Sequence, residues 1–178
     1  DIYRQPMPRI EASEWIYRHI EGAINLKLSS DEGQFIQPIP YPKYYELQPG
    51  QVLSFEYKPE FDMVVDQIAF DHIVAGNVSD ENSEIFINIS ANNSQGLIGQ
   101  AFLTNSFKPD GDSRGKEFII DLPEPITFNF GETYRFSVIT QNTETNLKFS
   151  GTISLAYQLD DRAVQKRIFE FSQPLISG

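Results

Sequence analysis

The residues best suited to chemistry lie in two short stretches. Asp110-Gly111-Asp112-Ser113 sets two carboxylates two residues apart on a flexible turn. Close carboxylates and backbone carbonyls suit calcium, which takes about six to eight oxygen ligands. The further acids and the closing glutamate of an EF-hand loop are missing here. A solvated Asp-Gly turn is therefore the favoured reading, with calcium at Asp110 and Asp112 as the alternative. Asp80-Glu81 and Asp160-Asp161 are weaker candidates of the same kind. The second stretch holds Tyr41, Tyr44 and Tyr45 in a proline-rich segment. A ring face packs on sugar C–H groups while the phenol hydroxyl supplies a polar handle, so the three could form a sugar platform. The same rings would equally pin a long loop onto the body of the fold, and pinning is favoured.

Catalytic signatures are sparse. Glycoside hydrolysis needs two acids about 5–10 Å apart across a cleft. With 25 acidic residues some pair will meet by chance, and no local context marks one. His19 and His72 are the only histidines, with no His-x-x-x-His spacing between them. No Gly-x-Ser-x-Gly elbow supports a Ser-His-Asp triad, and no glycine-rich phosphate loop is present. The absence of cysteine excludes disulfides, thiolate metal sites and a cysteine nucleophile. No catalytic residue is assigned. Asn77-Val78-Ser79, Asn88-Ile89-Ser90 and Asn92-Asn93-Ser94 match the glycosylation triplet, which arises easily by chance and carries little meaning if the source is bacterial.

Charge narrows the partners. The formal net charge is −11, and the 14 Lys and Arg residues are scattered. Phosphate neutralisation dominates nucleic-acid affinity, so no nucleic-acid partner is expected. Docking on anionic lipid through a basic patch is disfavoured for the same reason. No apolar run approaches the ~18 residues of a membrane span. The chain starts at Asp1 and not at Met, so it is expected to be an excised piece, with targeting and membrane segments outside it.

Residues of these types need elements to position them. Pro8 and then Arg9 to Gly22 predict a helix. Ile10, Ser13, Tyr17 and Ile20 share one face, early Glu11 and Glu14 and late Arg18 and His19 suit the dipole, and Gly22 terminates it. Trp15 is expected to anchor this helix on the sheet. Beyond it, aromatic and β-branched residues alternate in short runs between Asn, Asp, Gly and Pro clusters. Strands are predicted over 23–28, 52–57, 64–74, 84–91, 97–103, 117–122, 126–130, 133–140, 148–158 and 168–171, with Gly151 interrupting the long one. Residues 29–50 read as turn-rich and proline-rich, and over 37–42 Pro38, Pro40 and Pro42 forbid a central strand. Residues 160–167 are expected to form a turn or a short helical bridge. The implied fold class is all-β: one antiparallel β-sandwich domain over 1–178, jelly-roll-like, with a helical segment over 1–22.

Ile2-Tyr3-Arg4, Arg9, Ala12-Ser13-Glu14-Trp15-Ile16-Tyr17 and His19-Ile20 resemble a segment of large bacterial polytopic glycosyltransferases of the protein-mannosyltransferase type, which use lipid-linked sugar donors. In that group the phrase comes after the last transmembrane helices and leads into an extracytoplasmic domain. Gly22-Ala23-Ile24-Asn25-Leu26 is similar to the stretch immediately after that segment. Leu47-Gln48-Pro49-Gly50-Gln51 with Phe55, and Phe130-Gly131-Glu132-Thr133-Tyr134, resemble strand openings of the attached β-sandwich modules. The likeness covers about the first 30 residues, and the rest only in pattern. It implies a non-catalytic extracytoplasmic module, tethered to the membrane through segments outside this chain, that binds or positions a glycan. The transferase residues of such enzymes lie in loops absent here, so none carries over. The alternative is an independent cell-surface or secreted carbohydrate-binding or adhesion module, stabilised by calcium as its one suggested cofactor. A soluble glycosidase or esterase ranks third.

Overall fold

The computed structural model describes residues 25–30, 33–38, 44–76, 81–141 and 145–171. The helix expected before Gly22 lies outside them. Among the described residues every regular element is a strand: β1 (Asn25–Ser30), β2 (Gly33–Pro38), β3 (Tyr44–Leu47), β4 (Val52–Tyr57), β5 (Met63–Ala75), β6 (Ser83–Ala91), β7 (Leu97–Asn105), β8 (Lys116–Phe128), β9 (Tyr134–Thr140), β10 (Leu147–Leu159) and β11 (Arg162–Glu170). No helix among them is long and apolar enough to cross a membrane.

β1 and β2 form a hairpin of their own. The remaining strands build two antiparallel sheets, ordered β3-β10-β5-β8 and β4-β9-β6-β7. The chain passes between the sheets at β3–β4, β4–β5, β5–β6, β7–β8, β8–β9 and β9–β10, which is the strand order of a jelly roll. β11 takes up the edge of β10 that the short β3 leaves: β3 pairs with Leu147 to Ser150 and β11 with Thr152 to Leu159.

Period-two alternation explains both faces of the four-stranded sheet. Ile85, Ile87 and Ile89 on β6 and Tyr134, Phe136 and Val138 on β9 point inward and are buried. They meet inward residues of the other sheet, with Phe128 of β8 at the centre. Its ring lies 4.6 Å from Tyr134 and 6.0 Å from Phe136, centroid to centroid. Aromatic pairs in this range add to the hydrophobic gain of burying them.

Five expectations need correction. Residues 29–50 are not all turns, since they contain the end of β1, all of β2, and β3. The proline rule itself holds: Pro38 ends a strand of a two-stranded sheet, and β3 lies at a sheet edge. The two strands expected over 117–130 are one strand, β8. Pro123 and Pro125 are tolerated because β8 is an edge strand and its register against β5 shifts between Val65 and Gln67. Residues 160–167 form no helical bridge. Asp160 and Asp161, both with positive φ (47° and 60°), make a two-residue hairpin turn straight into β11. The short strand expected at 168–171 is the end of that longer strand. Gly151, expected to interrupt β10, sits at a register shift with φ of 80°, so the strand bulges and continues.

Candidate functional site

Outward residues of the four-stranded sheet line up straight across it, because its register runs unbroken from β4 through β9 and β6 to β7 over the shared stretch. Val52 pairs with Ile139, Ile139 with Phe86, and Phe86 with Phe102. The result is an apolar row over four strands, in which Val52 and Phe102 are 51% and 66% exposed. The two phenylalanine rings lie 6.5 Å apart and tilted. One step along the strands, Ser54, Ser137, Asn88 and Gln100 form a second row. Gln100 Nε2 donates to Asn88 Oδ1 at 2.8 Å, and the Ser54 and Ser137 hydroxyls are 3.3 Å apart. A third row holds Glu56, Arg135 and Ser90, with Arg135 Nη2 3.1 Å from Glu56 Oε1, and ends on β7 at the exposed Leu97. Apolar, amide–hydroxyl and ion-paired rows thus run side by side.

The other sheet carries a different kind of surface. Two residues of β5, Asp71 and His72, stand against the single Glu117 of β8 at a register shift between Phe70 and Ile73. A bulge of this kind re-aims side chains, and Asp71, His72 and Glu117 all line one open cleft of about 540 Å³. Asp110, Gly111, Asp112, Gly115 and Lys116 complete it. All but Lys116, the first residue of β8, come from the loop that joins β7 to β8. That loop is anchored by Phe107, a buried residue with φ of 50° whose carbonyl accepts from the Ala75 N–H at 2.8 Å. It is locked again at Gly115 (φ 88°), where a Cβ would fall 2.0 Å from the Ile73 carbonyl oxygen.

Electrostatics in the cleft are mostly settled by the protein itself. Asp112 Oδ1 accepts from the Arg114 backbone N–H (2.9 Å) and Nε (3.1 Å), and Oδ2 from Nη2 (2.8 Å). Burial raises the Asp112 pKa, but these hydrogen bonds and the guanidinium charge outweigh it and hold the carboxyl below its ordinary value. His72 Nε2 is 4.0 Å from Asp112 Oδ2. Burial, and then the Arg114 charge, lower the His72 pKa against the pull of Asp112, Asp71 and Glu117, favouring the neutral ring. Asp71 Oδ2 accepts from the Thr152 N–H (2.8 Å) and hydroxyl (2.9 Å). Ser150 pairs with His72 in the ladder, yet its hydroxyl is buried without a hydrogen-bond partner. Ser150, His72 and Asp112 therefore form no hydrogen-bonded relay.

The sequence candidates are distributed unevenly. Asp110 and Asp112 share the cleft, but Asp112 is bound by Arg114, and among the described residues no three His, Cys, Asp or Glu side chains are grouped to hold a metal. Tyr44 and Tyr45 occupy successive positions of β3 and so face opposite sides of the sheet. Tyr45 packs inward on Phe171, 6.3 Å between centroids, while the Tyr44 ring lies 5.2 Å from Lys148 Nζ. Tyr41 lies outside the described residues. The Phe86–Phe102 face is absent from the sequence candidates, although alternation contained it. In Ser83–Ala91 the isoleucines occupy inward positions, which leaves Phe86 and Asn88 outward. The chain matches no protein-family model and no curated protein sequence.

Proposed function

We propose that this chain is a non-catalytic glycan-binding module, held on the extracytoplasmic side of a membrane glycosyltransferase of the type its first 30 residues resemble. The observation that carries the reading is the outer face of the four-stranded sheet. An exposed aromatic and aliphatic row beside an amide and hydroxyl row matches the two sides of a sugar, a C–H face and a rim of hydroxyls.

A glycan array probed with the whole chain tests the binding half. Reproducible hits on defined sugars are expected, and a blank array sinks the reading. Membrane attachment requires transmembrane helices encoded upstream of Asp1, and a reading frame without them refutes that half. The second reading, a free-standing calcium-stabilised surface module, rests on the exposed Asp110 beside Gly111 at the cleft. A melting temperature that falls in EDTA and recovers with calcium would favour it.

A further inference from the structure

We infer that the four-stranded face binds an internal stretch of an extended, uncharged glycan chain that lies across the strands, along the row Val52–Ile139–Phe86–Phe102. This rests on the glycan-module reading above and adds the ligand's class, direction and mode of recognition.

Direction comes from register. The apolar row crosses three inter-strand gaps, roughly 14 Å, with each residue directly opposite the next. The amide–hydroxyl row runs parallel to it, about 7 Å further along the strands. A chain laid along the strands would cross apolar, amide and ionic rows in turn. A chain laid across them keeps its C–H faces on one row and its hydroxyls over the next for its whole length.

Class comes from charge and hydrogen-bonding capacity. A net charge of −11 repels polyanionic glycans. In the third row Glu56 and Arg135 are paired with each other, so neither charge calls for a partner. In the second row the Asn88–Gln100 bond uses one donor and one acceptor. It fixes the two amides while leaving the Gln100 carbonyl oxygen and the Asn88 amino group for ligand hydroxyls. A lipid chain, or a second protein with an apolar face, would cover these amides without pairing them, at a desolvation cost.

Mode comes from the ends of the row. β4 and β7 are the edge strands of this sheet, and Val52 and Phe102 are both more than half exposed. The row opens to solvent at both edges, so the chain runs on past the site and its terminus is not read.

The test is affinity electrophoresis of the whole chain in gels containing mannan, galactomannan, hydroxyethylcellulose or xylan, with alginate as the polyanionic control. Calorimetry with a length series of the best neutral sugar completes it. Retardation by a neutral polymer is expected, none by alginate, and affinity should rise with chain length until the row is spanned. Phe102→Ala and Phe86→Ala should each weaken binding tenfold or more, and Asn88→Ala with Gln100→Ala about fivefold, with unchanged melting curves. Tyr44→Ala should leave binding intact. Binding that survives both phenylalanine variants, or is complete with a monosaccharide, overturns this inference and leaves the glycan-module reading standing. No binding to any glycan here or on the array overturns both. A dimer in sedimentation that Phe102→Ala dissolves would make the face a self-association surface and also overturn the inference.

Discussion

The two sheets of the sandwich are built from the same kinds of residue and differ in register. In β4-β9-β6-β7 the pairing shifts once, between Ile89 and Ser90. In the other sheet β5 shifts twice against β8, and β10 shifts against both β5 and β11. Constant register lets like residues accumulate into rows, which makes a long, shallow surface. Broken register puts consecutive residues such as Asp71 and His72 into one place, which makes a local, charged cleft. The first surface suits an extended ligand. The second is occupied mainly by its own hydrogen bonds, and its geometry depends on backbone that few residues tolerate.

That dependence gives the largest expected effect. Gly115→Ala forces a side chain at φ of 88° into the Ile73 carbonyl, a backbone atom that cannot move without β5. A loss of about 3–5 kcal/mol is expected in urea unfolding. Gly111→Ala in the same loop, with φ of 72° and no atom within 4 Å, should cost about 1 kcal/mol. In the regular sheet, a Cβ on Gly99 would also fall at 2.0 Å, but against the tip of the Ile126 side chain, which can rotate. Gly99→Ala should therefore lie between the two, at about 1–3 kcal/mol. Equal losses at 115 and 99 would show that the bulged sheet is no less yielding than the regular one.

The same contrast decides what is legible in the sequence. β4, β6 and β9 can be read to within a residue or so, because strict alternation fixes both the strand and its buried face. The bulged β5 and β10 can also be placed to within a residue, but their bulges cannot. Nothing local in Met63–Ala75 tells that Asp71 and His72 stand against one residue of β8, since the bulge is set by the partners. The sequence splits β8 in two because Pro123 and Pro125 end most strands, and its edge position and register shift against β5 excuse them here. Asp110 and Asp112 do share one cleft, but a calcium reading of their spacing cannot anticipate the Arg114 fork on Asp112. Phe86 and Phe102 need one further step, asking which large apolar residues fall on the outward positions.

A middle-sized effect separates the polar groups of the two surfaces. Asp71→Ala removes the acceptor of the Thr152 N–H inside the bulge and should cost about 1–3 kcal/mol. Asn88→Ala removes a bond between partly exposed amides and should stay within about 0.5 kcal/mol. Chemical denaturation of both variants measures this directly. A costly Asn88→Ala would mean that the amide row holds the sheet together, not that it waits for a ligand.

The smallest expected effect is in pH, and it belongs to the bulged sheet alone. His72 has a folded pKa below its ordinary value of 6.5, because burial and Arg114 disfavour the imidazolium. Between the folded and unfolded values the unfolded chain binds more protons, so stability is full above about pH 6.5 and declines as the pH falls through the folded value. Asp112 behaves likewise in a lower window: its depressed pKa contributes stability above the ordinary carboxylate range, and that is lost on further acidification. Melting temperatures of the wild type should therefore drop modestly from pH 7.5 to 5, and the drop should shrink in His72→Gln. Asp112→Asn should leave that step in place and reduce the fall below about pH 4. No histidine stands on the outward rows of β4-β9-β6-β7, so the glycan affinity proposed for that face should stay flat over pH 5 to 7.5 while stability slopes. An affinity that tracks the His72 titration would instead couple the two faces through the shared core, and the separation drawn between them would fail.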